Sequence, residues 1–225
     1  MPKQIIISES QYNRLFEARM DGFRLDVLRN LPFSKKVKYC KEWLGSPIGN
    51  GSSRMVFQLD DYSCLKLAKN SKGVAQNEIE IQNENDYYAK QLGLFPHVLN
   101  GTDEDNALWV VSEYVLPAKE QDFERVCGFP WETVCRFIAT VGNRRNKNYF
   151  PKMTFEEELQ VLDIDEQGSY LLHTLQDYIG NYDAPIGDLM ALRNWGMCNR
   201  KDGPEMVVLD SGLTNDVWDS YYKRR

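Results

Sequence analysis

The 225-residue sequence predicts an α+β fold in which a strand-rich first part meets a mainly helical second part near residue 116. Two observations carry this expectation. Strand-like runs bounded by turn residues crowd residues 55–68 and 108–115, and after Pro117 the apolar residues recur at helical spacing. The length suits one large domain or two small lobes sharing a cleft, and such a chain buries roughly 70% of its unfolded surface without staples.

Taken in order, Ile5-Ile6-Ile7 leads to Ser8 with Gln11 three residues on, a capping-box pattern that opens a short helix through Leu15 and Phe16. Residues 22–45 read as a second short helix and an approach to a strand ending at Trp43-Leu44-Gly45. Met55–Leu59 and Cys64–Ala68 read as paired strands around the turn Asp60-Asp61-Tyr62-Ser63. A helix is expected over 75–91, with Ile79, Tyr87 and Tyr88 among its apolar positions. A strand is expected over Leu108–Val115, stopped by Pro117. Helices are expected over 119–127, 130–141, 154–162 and 166–180, with a basic loop at 143–148. Met206–Leu209 reads as a short buried strand before Asp210-Ser211-Gly212.

Composition narrows the function classes. Lys plus Arg is 27 against 33 Asp plus Glu, a net charge of −6, which argues against a general nucleic-acid coat or a polybasic membrane binder. No apolar run approaches about 20 residues, so no membrane span is expected, and the N-terminal run is too short for a secretory signal. The five cysteines form no Cys-x-x-Cys pair and lie far from the two histidines, His97 and His173. They read as reduced, buried thiols of a cytoplasmic protein, and not as a zinc site. His173 reads as packing, and Trp109 and Trp195 as core on either side of a cleft. Glu156-Glu157-Glu158 reads as a first helical turn, and the Tyr221–Arg225 tail as a frayed end.

The chemistry-bearing residues fall in a definite order. Gly49-Asn50-Gly51-Ser52-Ser53-Arg54 precedes a strand, and glycines let backbone amides approach phosphate closely. A third glycine is replaced by Arg54, and the strand-turn-strand setting argues against a Rossmann dinucleotide site. Lys66 sits mid-strand among apolar residues and needs a counter-ion or a ligand phosphate. The following helix offers Glu78, Glu80 and Glu84. Then come Glu113-Tyr114-Val115, Asp188, Asn194 and Asp210.

Over residues 45–213 this order resembles the protein-kinase fold, in the manner of small, divergent members from bacterial viruses, where Asn-Trp-Gly (here Asn194-Trp195-Gly196) precedes a hairpin and an Asp-x-Gly. The resemblance implies a two-lobed molecule: a helical extension over 1–40, a strand-rich lobe with the glycine loop over 41–116, and a truncated, mainly helical lobe with the metal-site motifs over 117–225. It implies ATP and Mg²⁺ as cofactors. Gly49, Gly51, Ser52 and Val56 would cover the nucleotide, and Lys66 would hold its phosphates, steadied by Glu80 or Glu78. Glu113 and Val115 would meet adenine through their backbones. Asn194 and Asp210 would ligate magnesium, and Asp188 would be the base that orients a hydroxyl acceptor. Asp188 reads equally as the cap of a following helix.

The resemblance is incomplete. The Asp188–Asn194 gap is one residue too long, Ser211 replaces the usual aromatic, and 13 residues after Gly212 leave no room for an activation segment or peptide-binding helices. Three readings follow: a phosphotransferase to an unknown hydroxyl acceptor, a pseudokinase-type binding or structural protein without turnover, and an α+β protein with no nucleotide site. A nucleotide is the expected partner, and the short helical lobe is expected to be completed by residues 1–40, by the insertion at 117–165 or by a protein partner.

Overall fold

The computed structural model describes residues 23–101, 106–143, 166–182, 184–200, 203–212 and 214–221. The chain is mixed α+β. Helices α1 (Leu25–Asn30) and α2 (Phe33–Leu44) come first. Next are β1 (Gly49–Asn50), β2 (Arg54–Gln58), β3 (Ser63–Ala68), α3 (Ser71–Asn85), α4 (Tyr87–Gln91), β4 (Val98–Gly101) and β5 (Trp109–Glu113). The five strands form one antiparallel sheet in the order β1-β2-β3-β5-β4. The β2–β3 turn is fixed by Asp60, whose Oδ1 accepts the N–H groups of Tyr62 (2.7 Å) and Ser63 (2.8 Å).

Period-two alternation divides the sheet's two faces. Met55, Phe57, Leu65, Leu67, Trp109 and Val111 face α1 and α2, where Phe23, Leu28 and Cys40 complete one core. Arg54, Val56, Lys66 and Val110 alternate with them and share the face that α3 covers. The central strand β3 is buried along its whole length. Residues 23–45 thus carry two helices, with Trp43 on α2 where a strand approach was expected, and residue 40 lies inside α2.

The second half adds β6 (Leu116–Pro117), α5 (Glu120–Cys127), α6 (Trp131–Asn143), α7 (Glu166–Asn181), the one-turn α8 (Ile186–Leu189), β7 (Trp195–Arg200), β8 (Gly203–Val208) and α9 (Asn215–Tyr221). Phe123, Phe137, Ile138, Leu172, Leu175, Ile179 and Trp195 are buried together between its helices and the β7–β8 hairpin. Trp195 Nε1 donates to Leu189 O at 2.8 Å, so the indole is both packed and satisfied.

Several sequence expectations change here. The helix expected over 75–91 breaks at Asp86, whose carboxylate accepts Ala89 N–H at 2.8 Å and caps a separate α4. Tyr87 and Tyr88 are 70% and 75% exposed, and the buried aliphatic residue of α3 is Ile81, not Ile79. Pro117 does not stop β5: it lies in β6, a two-residue strand paired with β7, where its missing N–H is tolerated. β4 and β7 add strands beyond those read from the run patterns. His173 is exposed on α7. The expected helices through 15–16 and 154–162, the Glu156–Glu158 turn, residues 144–148 and the tail beyond Tyr221 lie outside the described residues. No described helix is long and apolar enough to cross a membrane. All five cysteines are free. Cys40, Cys64, Cys127 and Cys198 are buried, and Cys135 is partly so.

Candidate functional site

α3 docks on the sheet with a polar stripe. Its N-cap Asn70 accepts Gly73 N–H at 3.3 Å, and the inward residues are Gly73, Gln76, Asn77, Glu80 and Ile81. A Cβ on Gly73 would lie 2.3 Å from Ser53 O, so the helix start and the 52–54 backbone touch only because that residue is glycine. Ser53 Oγ donates to Gln76 Oε1 at 2.5 Å, and Asn77 Nδ2 donates to Ala107 O at 2.8 Å. Polar groups buried in this way hold the helix only while each is paired.

Glu80 is the centre of the arrangement. Of the three candidate carboxylates it alone meets Lys66, Nζ donating to Glu80 Oε2 at 2.8 Å. Its other oxygen, Oε1, accepts Arg54 Nη1 at 2.7 Å. Lys66, Arg54 and Glu80 are 7%, 8% and 3% exposed, so this is a buried triad of two cations and one anion. Burial pushes the Glu80 carboxyl up, but Arg54 and Lys66 outweigh it and hold the group below the ordinary value. Glu84 faces elsewhere, toward Lys90 and His97. Burial raises its carboxyl too, yet hydrogen bonds from His97, Lys90 and Val98 N–H bring it to about 2. Glu78 lines a surface hollow with Phe33, Val74 and Tyr221.

The turn 209–212 closes the arrangement from the second half. Lys66 Nζ also donates to Leu209 O (3.3 Å), and Arg54 Nη2 donates to Asp210 Oδ1 (2.7 Å). Ser211 is buried, and a Cβ on Gly212 would lie 2.2 Å from Gln76 O, so this turn rests directly on α3. Leu209 N–H donates to Asn194 O at 2.8 Å. Asn194 Nδ2 donates to Asp188 O (3.0 Å) and Oδ1 (3.3 Å). Through Arg54 and the Leu209 backbone, Lys66, Glu80, Asp210, Asn194 and Asp188 are therefore joined in one hydrogen-bonded network. Asp188 sits inside α8, whose N-cap is Pro185, so the reading of Asp188 as a helix cap is not realised. Burial raises its carboxyl, Asn194 offsets part of that, and nearby Asp210 raises it further.

The remaining candidates surround this network. Gly49 lies on β1 against Val56, the β2 residue paired with it. Gly51 N–H donates to Arg54 O at 3.0 Å, and Lys69 Nζ donates to Gly51 O at 2.8 Å. Ser52 O accepts Asn70 Nδ2 at 3.1 Å, so the glycine loop is tied to the β3–α3 connection. The Glu113 carboxylate accepts His97 N–H and Arg200 Nη2, both at 3.3 Å. Val115 packs its side chain with Cys198 and Val207, while its backbone makes no hydrogen bond to a described residue.

Asp210 Oδ1 is engaged by a guanidinium, and Asn194 spends its amide N–H groups on Asp188. Among the described residues no group of three or more His, Cys, Asp or Glu side chains is arranged to hold a metal. Arg54 was not singled out by sequence. Its signal was there: a charged residue in place of a loop glycine, two positions before Val56 and so on the same strand face. No protein-family model matches the chain, and no curated protein matches it.

Proposed function

We propose that this chain is a nucleotide-binding protein of kinase-like design that works by binding, a pseudokinase in function. The five-stranded sheet with α1–α4 corresponds to one lobe and residues from about 116 onward to the other. The buried Lys66–Glu80 pair beside Asp210 carries the reading, because it holds a cation at the inner face of a sheet, next to a glycine loop. Lys66 takes the nucleotide phosphates, the glycine loop with Val56 covers them, and the free Val115 backbone receives the adenine edge. The Arg54–Asp210 contact favours binding over turnover, since it engages the carboxylate that metal-assisted transfer uses.

A second reading, phosphoryl transfer to a hydroxyl, is favoured by Asp188: its raised carboxyl is oriented by Asn194 and is a better proton acceptor than an ordinary aspartate.

Thermal unfolding with a non-hydrolysable ATP analogue tests the proposal. Ligand at about 100 times its dissociation constant adds about 2.7 kcal/mol to the stability of the wild type. In Lys66→Met the added stability is expected to vanish. Equal shifts in the two proteins overturn this site. ADP formation from ATP that is lost in Asp188→Asn establishes the second reading in place of the first.

A further inference from the structure

Arg54 stands where a glycine loop of this pattern carries its third glycine, and its side chain turns inward from the first residue of β2. One end of the fork, Nη1, is fixed by Glu80 Oε1 (2.7 Å) and Asn77 Oδ1 (3.2 Å). The other end, Nη2, reaches Asp210 Oδ1 at 2.7 Å, a carboxylate whose side chain is still 34% exposed.

We propose that Arg54 is a built-in cation that replaces a divalent metal at Asp210, so that this site holds nucleotide phosphate without a metal ion. The inference rests on the nucleotide-binding reading above. Charge is the first argument. Arg54, Lys66 and, beside Asp188, Arg193 bring three positive charges, and Glu80, Asp210 and Asp188 three negative ones, so the group has no surplus negative charge to draw a dication. A hard cation needs carboxylate oxygens free to coordinate it, and here one is already a guanidinium acceptor. Permanence is the second. Arginine does not deprotonate in proteins, and its covalently tethered charge does not diffuse away as a metal does. Shape is the third. A planar fork matches the oxygens of a phosphate as well as those of a carboxylate, and Nη2 is bonded to Asp210, the one partly exposed member of an otherwise buried group and the side from which phosphate would approach.

The test uses the full chain with Mn²⁺ alone, followed by the paramagnetic signal of the free ion, and separately a non-hydrolysable ATP analogue in EDTA or in Mg²⁺. The wild type is expected to leave Mn²⁺ free and to show the same analogue-induced rise in melting temperature in both buffers. Arg54→Gln is expected to bind Mn²⁺ about tenfold or more tightly than the wild type, about 1.4 kcal/mol, and to lose that binding when Asp210→Asn is added. Arg54→Lys keeps the charge and is expected still to exclude the ion. Wild-type binding of Mn²⁺ that depends on Asp210 overturns the inference. A wild-type analogue shift that appears only with Mg²⁺ also overturns it, yet leaves the nucleotide reading standing. No shift in either buffer overturns that reading and this one together. Both wild-type arms decide the matter even if Arg54→Gln does not fold.

Discussion

Glu80 shows what a single residue does when its environment is arranged around it. Its carboxylate bridges two buried cations, Lys66 at 2.8 Å and Arg54 at 2.7 Å. Glu80→Gln keeps the size and removes the charge, leaving Lys66 without its carboxylate and Arg54 without one of its two in a buried setting. Breaking such an arrangement costs about 3–5 kcal/mol, readable as a fall in the urea midpoint with an unchanged slope. The pH dependence follows from the direction of the shift. The folded carboxyl lies below its ordinary value of 4.5, so its contribution is full above that value and is lost as pH falls through the folded one. Glu80→Gln should therefore flatten the acid limb of the stability profile. An acid limb equal to that of the wild type shows that Glu80 is not the group responsible. Sequence alone located Lys66 and its acidic helix, because a lysine flanked by apolar strand residues demands a partner. Which glutamate answered could not be read. That choice depends on where α3 rotates, and its rotation is set by glycine contacts that no periodicity records.

The element most resistant to sequence reading was α3, for the same physical reason that makes it interesting. Its buried stripe is Gly73, Gln76, Asn77, Glu80 and Ile81, so a search for apolar periodicity finds the wrong face. The strands were easier, because β2 and β3 alternate cleanly between an apolar face toward α1 and α2 and the face that carries Arg54, Val56 and Lys66. β4 was missed because its pattern is half-buried and exposed throughout. Two of the contacts of α3 depend on glycine, Gly73 against Ser53 O and Gly212 against Gln76 O. Gly73→Ala forces a Cβ to within 2.3 Å of a backbone oxygen, where no flexible side chain can give way. A cost of about 1–3 kcal/mol is expected from this overpacking. Gly187→Ala is the matched control: it lies in α8 with nothing within 4 Å of the added carbon. There the substitution should be neutral or add about 0.4–1 kcal/mol by restricting the unfolded chain. Chemical denaturation of the two variants separates the outcomes, and equal stabilities would mean that the helix start is free to shift.

At the scale of the whole molecule, the two larger cores are joined by specific polar contacts. One core lies between the large sheet and α1–α2, the other between α5–α7 and the β7–β8 hairpin. Leu94 and Phe95, from the connection before β4, pack into the second core, so the polar links between the two halves include Arg54 to Asp210 and Arg200 on β7 to Glu113 at the end of β5. Arg200 Nη1 donates to Gly93 O (2.5 Å) and Glu205 Oε2 (2.9 Å), and its Nη2 donates to Phe95 O (2.6 Å) and Glu113 Oε2 (3.3 Å). One guanidinium thus ties the hairpin to the connection before β4 and to the end of β5. Arg200→Ala strands two carbonyls and two carboxylates in a site only 15% exposed, which should cost about 3–5 kcal/mol. Arg200→Lys should recover less than half of that, because an ammonium cannot span the four acceptors as a fork does. The distinguishing readout is cooperativity, since a residue that only stabilised its own hairpin would lower both cores together. Hydrogen exchange at Trp109–Val111 reports the first core, and exchange at Phe137–Ile138 reports the second. In the wild type both sets should open with similar free energies. In Arg200→Ala the two values should separate, with one core opening while the other stays closed. Parallel loss at both sets would place the coupling in the Arg54–Asp210 bridge instead of Arg200.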